Sequence, residues 1–264
     1  MIFSRKEIEI TRFNNPPIID GVINDLQWNG LEPRIIFSNI KFFKPVMDYF
    51  GISELGYQVF MPELPIYTAS LLDTNVKFFA KYINNFITQL ELKKVILVGN
   101  SLGGHIALVH AKLYPLNTKA LVLTGSSGLY ENSMGDTYPR RGDYDFIKNK
   151  TQNVFYSPET ATKEVVDEIF EAVNDRRKVL KILAVAKSAI RHNMAKDLPN
   201  LRVPTALIWG ENDSVTPPEV AKEFDKLLPN SKLFWFEKCG HAPMMEHPEK
   251  FNSTVHKWLT ENKL

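Results

Sequence analysis

Short apolar runs alternate with helix-forming segments along most of the chain, and this alternation restricts the fold more than any other feature. The runs are nearly continuous in apolar residues, as in strands that are buried on both faces of a parallel sheet. They lie at 34–38, 57–64, 95–100, 120–126, 205–212 and 232–238. Helices are predicted between them at 71–91, 102–114, 217–228 and 247–262. The pattern predicts an α/β fold with an open, mostly parallel sheet flanked by helices.

The alternation is interrupted between about residue 129 and residue 198, where no strand is predicted. The interruption contains two helical patterns, at 157–173 and 175–194. The first of them opens with Ser157 and Pro158, residue types that favour the N-cap and the first turn of a helix. The sequence before these two helices is polar and rich in turn-forming residues.

This interruption predicts a division of the chain into two parts. Residues 1–128 and 199–264 are expected to form the α/β core, and residues 129–198 a helical cap or lid. In an open α/β sheet such an insertion can cover the carboxyl ends of the strands, where ligands bind. The alternative is that its helices pack against the side of the domain.

Composition restricts the class of partner. The 264 residues are 44% hydrophobic, enough for the core of one large domain, and their net charge of +2 favours neither a nucleic acid nor a membrane as partner. Cys239 is the single cysteine, so an intrachain disulfide is excluded. The N-terminal segment lacks the apolar stretch of a secretory signal, and no run reaches the roughly 18 apolar residues of a membrane span. We therefore expect a cytoplasmic protein, either a monomer or a homodimer.

Ser101 lies at a predicted strand-to-helix junction, in the sequence Gly99-Asn100-Ser101-Leu102-Gly103. A serine on such a tight turn needs small residues two positions before and after it, because larger side chains would collide across the turn. Gly99 and Gly103 meet this requirement. The turn would present Ser101 Oγ at the edge of the sheet and the Leu102 N–H to a developing oxyanion. The alternative is an ordinary serine in a glycine-rich loop.

A nucleophilic serine needs a base, and the base needs a third group to orient it. Among six histidines, His241 follows a predicted strand, in a loop with Gly240 before it and Pro243 after it. A histidine in that loop can reach back over the edge of the sheet. The other histidines are predicted to lie in helices or in the insertion; they are His105, His110, His192, His247 and His256.

The third group is predicted in the loop after the fifth apolar run. Asp213 lies in that loop, and Glu211 is the competing carboxylate. A local turn role is the alternative for Asp213, since aspartate often bonds to its own backbone in turns. The chain order Ser101, Asp213, His241 is nucleophile, acid, base, as expected for this type of sheet.

Three stretches carry a resemblance to a known family: GNSLGG around Ser101, WGENDSVTP around Asp213 and CGHAPMMEHPEKFN around His241. With them, the sequence resembles the α/β-hydrolase fold superfamily over nearly its full length. The resemblance implies an eight-stranded sheet, a helical cap after the sixth strand, and a serine hydrolase with a Ser101–His241–Asp213 triad. It implies a small carboxylic ester or related acyl compound as substrate. No metal-binding or phosphate-binding motif is present, so no cofactor is expected.

One loop departs from the family pattern. The family usually has His-Gly after its third strand, where the backbone gives a second oxyanion N–H. Here Ser38-Asn39 stands in that place, and Ile40 would supply the N–H. The loss of glycine restricts the backbone, although asparagine tolerates the left-handed region and could donate through its side-chain amide. The departure leaves open a non-catalytic, ligand-binding homologue.

A second alternative lies within the superfamily. The patterns around Ser101 and His241 are similar to those of C–C bond hydrolases that cleave ring-fission products of aromatic compounds. Arg191 stands about where those enzymes carry a substrate-binding arginine. The glycine-rich loop of those enzymes is absent, and the same patterns occur in plain esterases, so both activities remain open.

Overall fold

A computed structural model describes residues 34–38, 57–132 and 140–264, with only the backbone described for 34–38 and Gln58. In the described part of the chain, six strands form one sheet in which every neighbouring pair is parallel. They are β1 (Arg34–Ser38), β2 (Gln58–Phe60), β3 (Val95–Asn100), β4 (Thr118–Thr124), β5 (Thr205–Gly210) and β6 (Ser231–Phe236). Their spatial order is β2-β1-β3-β4-β5-β6. The parallel α/β sheet is thus confirmed, and the total of eight strands stays a prediction.

Helices cover both faces of this sheet. They are α1 (Val76–Gln89), α2 (Leu102–Leu113), α3 (Tyr144–Gln152), α4 (Lys163–Asn174), α5 (Arg176–Arg191), α6 (Pro218–Leu227), α7 (Pro243–Glu246) and α8 (Pro248–Glu261). On β3, Val95 and Leu97 pack in the cluster that contains α1, α2 and α6, whereas Ile96 and Val98 pack in the cluster that contains α8. Burial on both faces explains why the strand sequences are continuous in apolar residues.

The strand order creates a switch point beside β1, at the carboxyl edge of the sheet. The chain passes from β1 to β2 on one side and then returns to β3 on the other side of β1. Ligands of open α/β sheets bind at such a switch point, outside the carboxyl ends of the strands. The register places Ser38, the last residue of β1, opposite Gly99 of β3. Ser101 follows β3 directly and so lies at the switch point.

Several elements differ from the sequence prediction. The helix predicted over 157–173 begins only at Lys163, where Thr162 and not Ser157 is the N-cap. Strand β2 ends at Phe60 rather than continuing through Pro62, which cannot donate to a ladder. Helix α1 begins at Val76 rather than at residue 71, because the Asn75 side chain accepts a hydrogen bond from Phe78 N and caps the helix there. Helix α3 was not predicted, since its sequence is polar and it buries only Ile147 and Thr151.

Helices α3, α4 and α5 all lie between β4 and β5, and residues 129–204 of this connection are called here the β4–β5 segment. Its described residues contain no strand, as the sequence predicts. Helix α5 packs on α1: Val185 and Ala189 share the cluster of α1, and Val76 N donates to Ser188 Oγ over 3.1 Å. The boundaries of core and cap remain a prediction. Among the described helices, none has the length and apolar character needed to cross a membrane.

Candidate active site

Ser101 occupies a strained turn between β3 and α2. Its φ of 51° and ψ of −119° are unusual for a residue with a side chain, and such strain is often found at functional sites. A Cβ atom on Gly99 would lie 2.4 Å from the carbonyl carbon of Gly103, closer than any real side chain allows. The turn therefore needs glycine at position 99, as the sequence pattern indicates.

Backbone hydrogen bonds to the end of β4 hold this turn. Ser101 N donates to Thr124 O over 3.0 Å, and Ser127 N donates to Ser101 O over 3.1 Å. The Asn100 side-chain amide donates to Thr124 O and also to His241 O, over 3.0 and 2.9 Å. Asn100 thus joins the serine turn to the histidine loop, a role that the sequence did not reveal.

Asp213 and His241 form a buried pair. His241 Nδ1 lies 2.9 Å from Asp213 Oδ2 and 3.1 Å from Asp213 Oδ1. The carboxylate also accepts from Val215 N, Thr216 N and Thr216 Oγ1, over 2.8, 2.9 and 2.8 Å. Because the carboxylate accepts the proton of Nδ1, the other ring nitrogen, Nε2, is left as a base. Glu211, the competing carboxylate, is exposed.

The loop of His241 fits against two glycines. A Cβ on Gly125, which has a φ of 45°, would lie 2.7 Å from His241 Nδ1. A Cβ on Gly210 would lie 2.1 Å from Gly240 O. The ends of β4 and β5 must therefore lack side chains for the imidazole to reach its place. Sequence reasoning did not single out Gly125, although a glycine directly after a buried strand was visible in the sequence.

The same loop is attached to the β4–β5 segment. His241 N donates to Val154 O over 2.9 Å. Glu246 accepts from Gly240 N over 2.6 Å with one oxygen, and from Tyr156 N and Ser157 N over 2.8 and 2.9 Å with the other. One carboxylate thus satisfies three backbone donors and joins the residue before His241 to the β4–β5 segment. Glu246 was not predicted, because its partners are distant in the sequence.

The serine and the histidine are not joined directly. There is no hydrogen bond between the described side chains of Ser101 and His241, a common state of catalytic groups without substrate. Leu102 is the first residue of α2, so its N–H is one of the donors that lack an acceptor inside the helix. Ile40, the predicted second oxyanion donor, lies outside the described residues, as does Asn39.

A second carboxylate lies near the buried pair. Asn132 N donates to Val215 O over 2.7 Å, so Glu131 comes close to the loop that carries Asp213. Burial raises the pKa of Glu131, while a charge on His241 acts in the opposite direction.

Two other histidines are buried without a carboxylate partner in the described part of the chain. Burial, together with the nearby His192 ring, lowers the pKa of His105 to about 3, and burial lowers that of His110 to about 4. His105 Nε2 lies 3.1 Å from His192 Nδ1. Burial also raises the pKa of the Cys239 thiol, which makes that side chain a poor nucleophile. These groups are parts of the packing rather than members of the buried pair.

Comparison with known proteins agrees with this fold. Residues 47–254 match the model of the alpha/beta hydrolase family. A solved alpha/beta hydrolase enzyme from the metagenome of lagoon sediments at Mar Chica, Morocco, is 47% identical, with 88% of this chain and 92% of that chain covered and a TM-score of 0.69.

Curated relatives differ in their reactions. A 2-hydroxy-6-oxononadienedioate/2-hydroxy-6-oxononatrienedioate hydrolase from Pseudomonas sp is 28% identical over 222 residues, 78% of each chain. A monoacylglycerol lipase from Homo sapiens is 27% identical over 225 residues, 74% of this chain and 66% of the lipase. The match to the family model and these relatives together show that the chain belongs to the alpha/beta hydrolase family, which confirms the fold and the class of enzyme, a hydrolase, expected from the sequence.

Proposed function

We propose that the protein is a serine hydrolase that cleaves a small carboxylic ester, or a related acyl substrate, through an acyl-enzyme. The observation that supports this proposal best is the buried pair of Asp213 and His241 beside the strained turn of Ser101. Buried charged groups are rare unless they are paired, and this pair lies in the loops that follow β5 and β6, at the same carboxyl edge of the sheet as Ser101.

In the proposed mechanism, Ser101 Oγ attacks the acyl carbon while His241 Nε2 takes the hydroxyl proton. Asp213 accepts the hydrogen bond of Nδ1–H and stabilises the imidazolium that forms. The imidazolium then returns the proton to the leaving group. A water molecule, deprotonated by the same histidine, releases the acid and restores Ser101.

The oxyanion of each tetrahedral intermediate is proposed to accept from the Leu102 N–H and from the Ile40 N–H. In other serine hydrolases the loss of one such donor costs about 3–4 kcal/mol of transition-state stabilisation. The helices of the β4–β5 segment are proposed to form the cap over this site. The attachment of Val154, Tyr156 and Ser157 to the histidine loop supports that role, because it brings the segment beside the catalytic base.

A C–C bond hydrolase is the second candidate, since one relative carries the name of such an enzyme. Two observations weigh against it. Arg191, the expected substrate-binding residue, ends α5 with an exposed side chain. Ser38-Asn39 stands where C–C bond hydrolases carry their glycine-rich loop.

Labelling with a fluorophosphonate, followed by intact-mass measurement, tests the proposal. We expect one adduct on the wild type and none on Ser101→Ala. Ser253→Ala, a change at an exposed serine of α8, is the matched control and should label like the wild type. Labelling of Ser101→Ala would show that the reactive group is not Ser101. No labelling of the folded wild type would contradict the serine mechanism and favour a ligand-binding homologue. Faster cleavage of a vinylogous 1,5-diketone than of p-nitrophenyl esters would favour the C–C bond hydrolase.

A further inference from the structure

Helix α5 is unusually basic. Its 16 residues include six lysines and arginines and no acidic residue; the cations are Arg176, Arg177, Lys178, Lys181, Lys187 and Arg191. None of these cations forms an ion pair with a carboxylate in the described part of the chain. Lys178 lies over the Tyr67 ring and Lys181 donates to a backbone carbonyl. The other four cations are exposed and can reach an anionic partner.

The outer face of α5 is apolar as well as basic. Val179, Val185 and Ala189 are the buried residues of the helix. Leu180, Leu183, Lys187, Ile190 and Arg191 follow the helical spacing of a single face, and its three apolar members are exposed, Ile190 by 61%. An apolar stripe on a face that packs on nothing in the described chain requires an explanation.

The turn before α1 extends this surface. Lys181 Nζ donates to Ala69 O, and Val76 N donates to Ser188 Oγ, so the turn lies along α5. It exposes Leu71 and Leu72, the latter by 90%. Because the turn follows β2 in a parallel sheet, it lies at the same carboxyl edge as Ser101. We call the exposed residues of α5, with Leu71 and Leu72, the α5 face.

We propose that the α5 face docks on the surface of an anionic lipid bilayer. Exposed leucine and isoleucine side chains would enter the boundary of the acyl chains, and the lysines and arginines would reach the phosphates with their long side chains. The expectation from the sequence that no membrane is involved rests on the net charge of +2 for the whole chain, whereas the cations here are concentrated on one helix. A second copy is a poorer partner, because a two-fold contact would bring the exposed cations of α5 against those of the other copy.

Vesicle flotation with the full-length protein tests this proposal. The probes are vesicles of pure phosphatidylcholine and vesicles of equal parts phosphatidylcholine and phosphatidylglycerol. We expect binding to the anionic vesicles, at least about tenfold weaker binding to the neutral ones, and loss of binding on addition of salt. The double variant Leu183→Asp/Ile190→Asp should lose at least about tenfold in binding.

Leu116→Asp is the matched control. Leu116 is 88% exposed but precedes β4, so it lies at the opposite edge of the sheet and should not affect binding. A wild type that does not float, or a double variant that floats like the control, would overturn the proposal. So would a concentration-dependent dimer, measured by light scattering, that the same double variant abolishes. Flotation requires no turnover, so its outcome is independent of the serine mechanism.

Discussion

The carboxyl edge of the sheet and the β4–β5 segment are built in different ways. At the edge, backbone meets backbone: Gly99, Gly125 and Gly210 each lie where a Cβ would come within 2.7 Å of another group. In the segment, a Cβ atom added at Gly142 would have no neighbour within 4 Å. The helices there carry exposed ion pairs such as Lys163 with Asp167. Residue identity is therefore dictated by geometry at the edge, but mostly by polarity in the segment.

This difference has a consequence for specificity. The groups proposed for chemistry lie on the edge, where few substitutions fit, and the groups that would face the rest of a substrate lie on helices that tolerate many. A family built in this way can keep one mechanism while its members act on different substrates. The named reactions of the relatives, a dienedioate hydrolase and a monoacylglycerol lipase, agree with that expectation.

The comparison is tested most strongly by adding one methyl group to a glycine in each region. We expect Gly99→Ala to lower the free energy of unfolding by about 3 kcal/mol or more, because the new Cβ meets the backbone of Gly103, which cannot move away within α2. Gly142→Ala should change it by less than about 0.5 kcal/mol. Urea unfolding, followed by circular dichroism, measures both. Equal effects at the two sites would show that the edge is not constrained as described.

A second test uses the contact between His105 of α2 and His192 at the end of α5. The pKa of His105 is lowered to about 3 and that of His110 to about 4, below the value of about 6.5 for an unfolded histidine. At a pH between the folded and the unfolded pKa, each of these histidines is protonated in the unfolded chain but not in the folded protein. The free energy of unfolding should therefore fall as the pH falls below about 6.5, by about 1.4 kcal/mol per pH unit for each histidine.

Urea midpoints measured from about pH 7.5 to about pH 4.5 would give this slope. We expect His105→Gln to remove the contribution of one histidine, so that the slope becomes shallower by about 1.4 kcal/mol per pH unit. The carboxylates titrate alike in the wild type and in His105→Gln, so their contribution cancels when the two slopes are subtracted. An unchanged slope would mean that His105 is charged, or reached by water, in the folded protein.

The smallest expected effect concerns Glu246, which joins the two regions. Glu246→Gln places an amide NH₂ against backbone N–H donors, so the loop of His241 should lose its fixed position. We expect kcat for an ester to fall about tenfold with little change in KM, since positioning of the base is affected and not binding. Glu249→Gln, at an exposed site in the first turn of α8, is the control. A lower Tm with an unchanged kcat would assign Glu246 a purely structural role.

Much of the edge could be predicted from the sequence because its constraints are local. The glycines two residues on either side of Ser101 belong to one turn, and the loops of Asp213 and His241 each follow a continuous apolar strand. The contacts that were missed connect residues far apart in the chain: Asn100 with the carbonyl of His241, Gly125 with its ring, and Glu246 with Tyr156 and Ser157. Such pairs have no spacing that a single sequence can reveal.

Prediction was weaker where burial is slight. Helix α3 buries two side chains, so its apolar periodicity is faint, and its start depends on Asp143, which accepts from Phe146 N. The α5 face was missed for another reason. Helical periodicity indicates which residues can share a face, but not whether that face packs on the protein or is exposed, and α5 carries apolar residues on both of its faces.

The attachment of Val154, Tyr156 and Ser157 to the histidine loop matters to anyone who would recombine this enzyme with its relatives. Because Val154 O, Tyr156 N and Ser157 N are main-chain groups, a chimaera that exchanges the whole β4–β5 segment keeps their hydrogen bonds to His241 N and Glu246 only if the new segment follows the same backbone path there. An exchange limited to α4 and α5 leaves those hydrogen bonds intact. The boundary for grafting a new specificity onto this scaffold is therefore after Ser157, not at the end of β4.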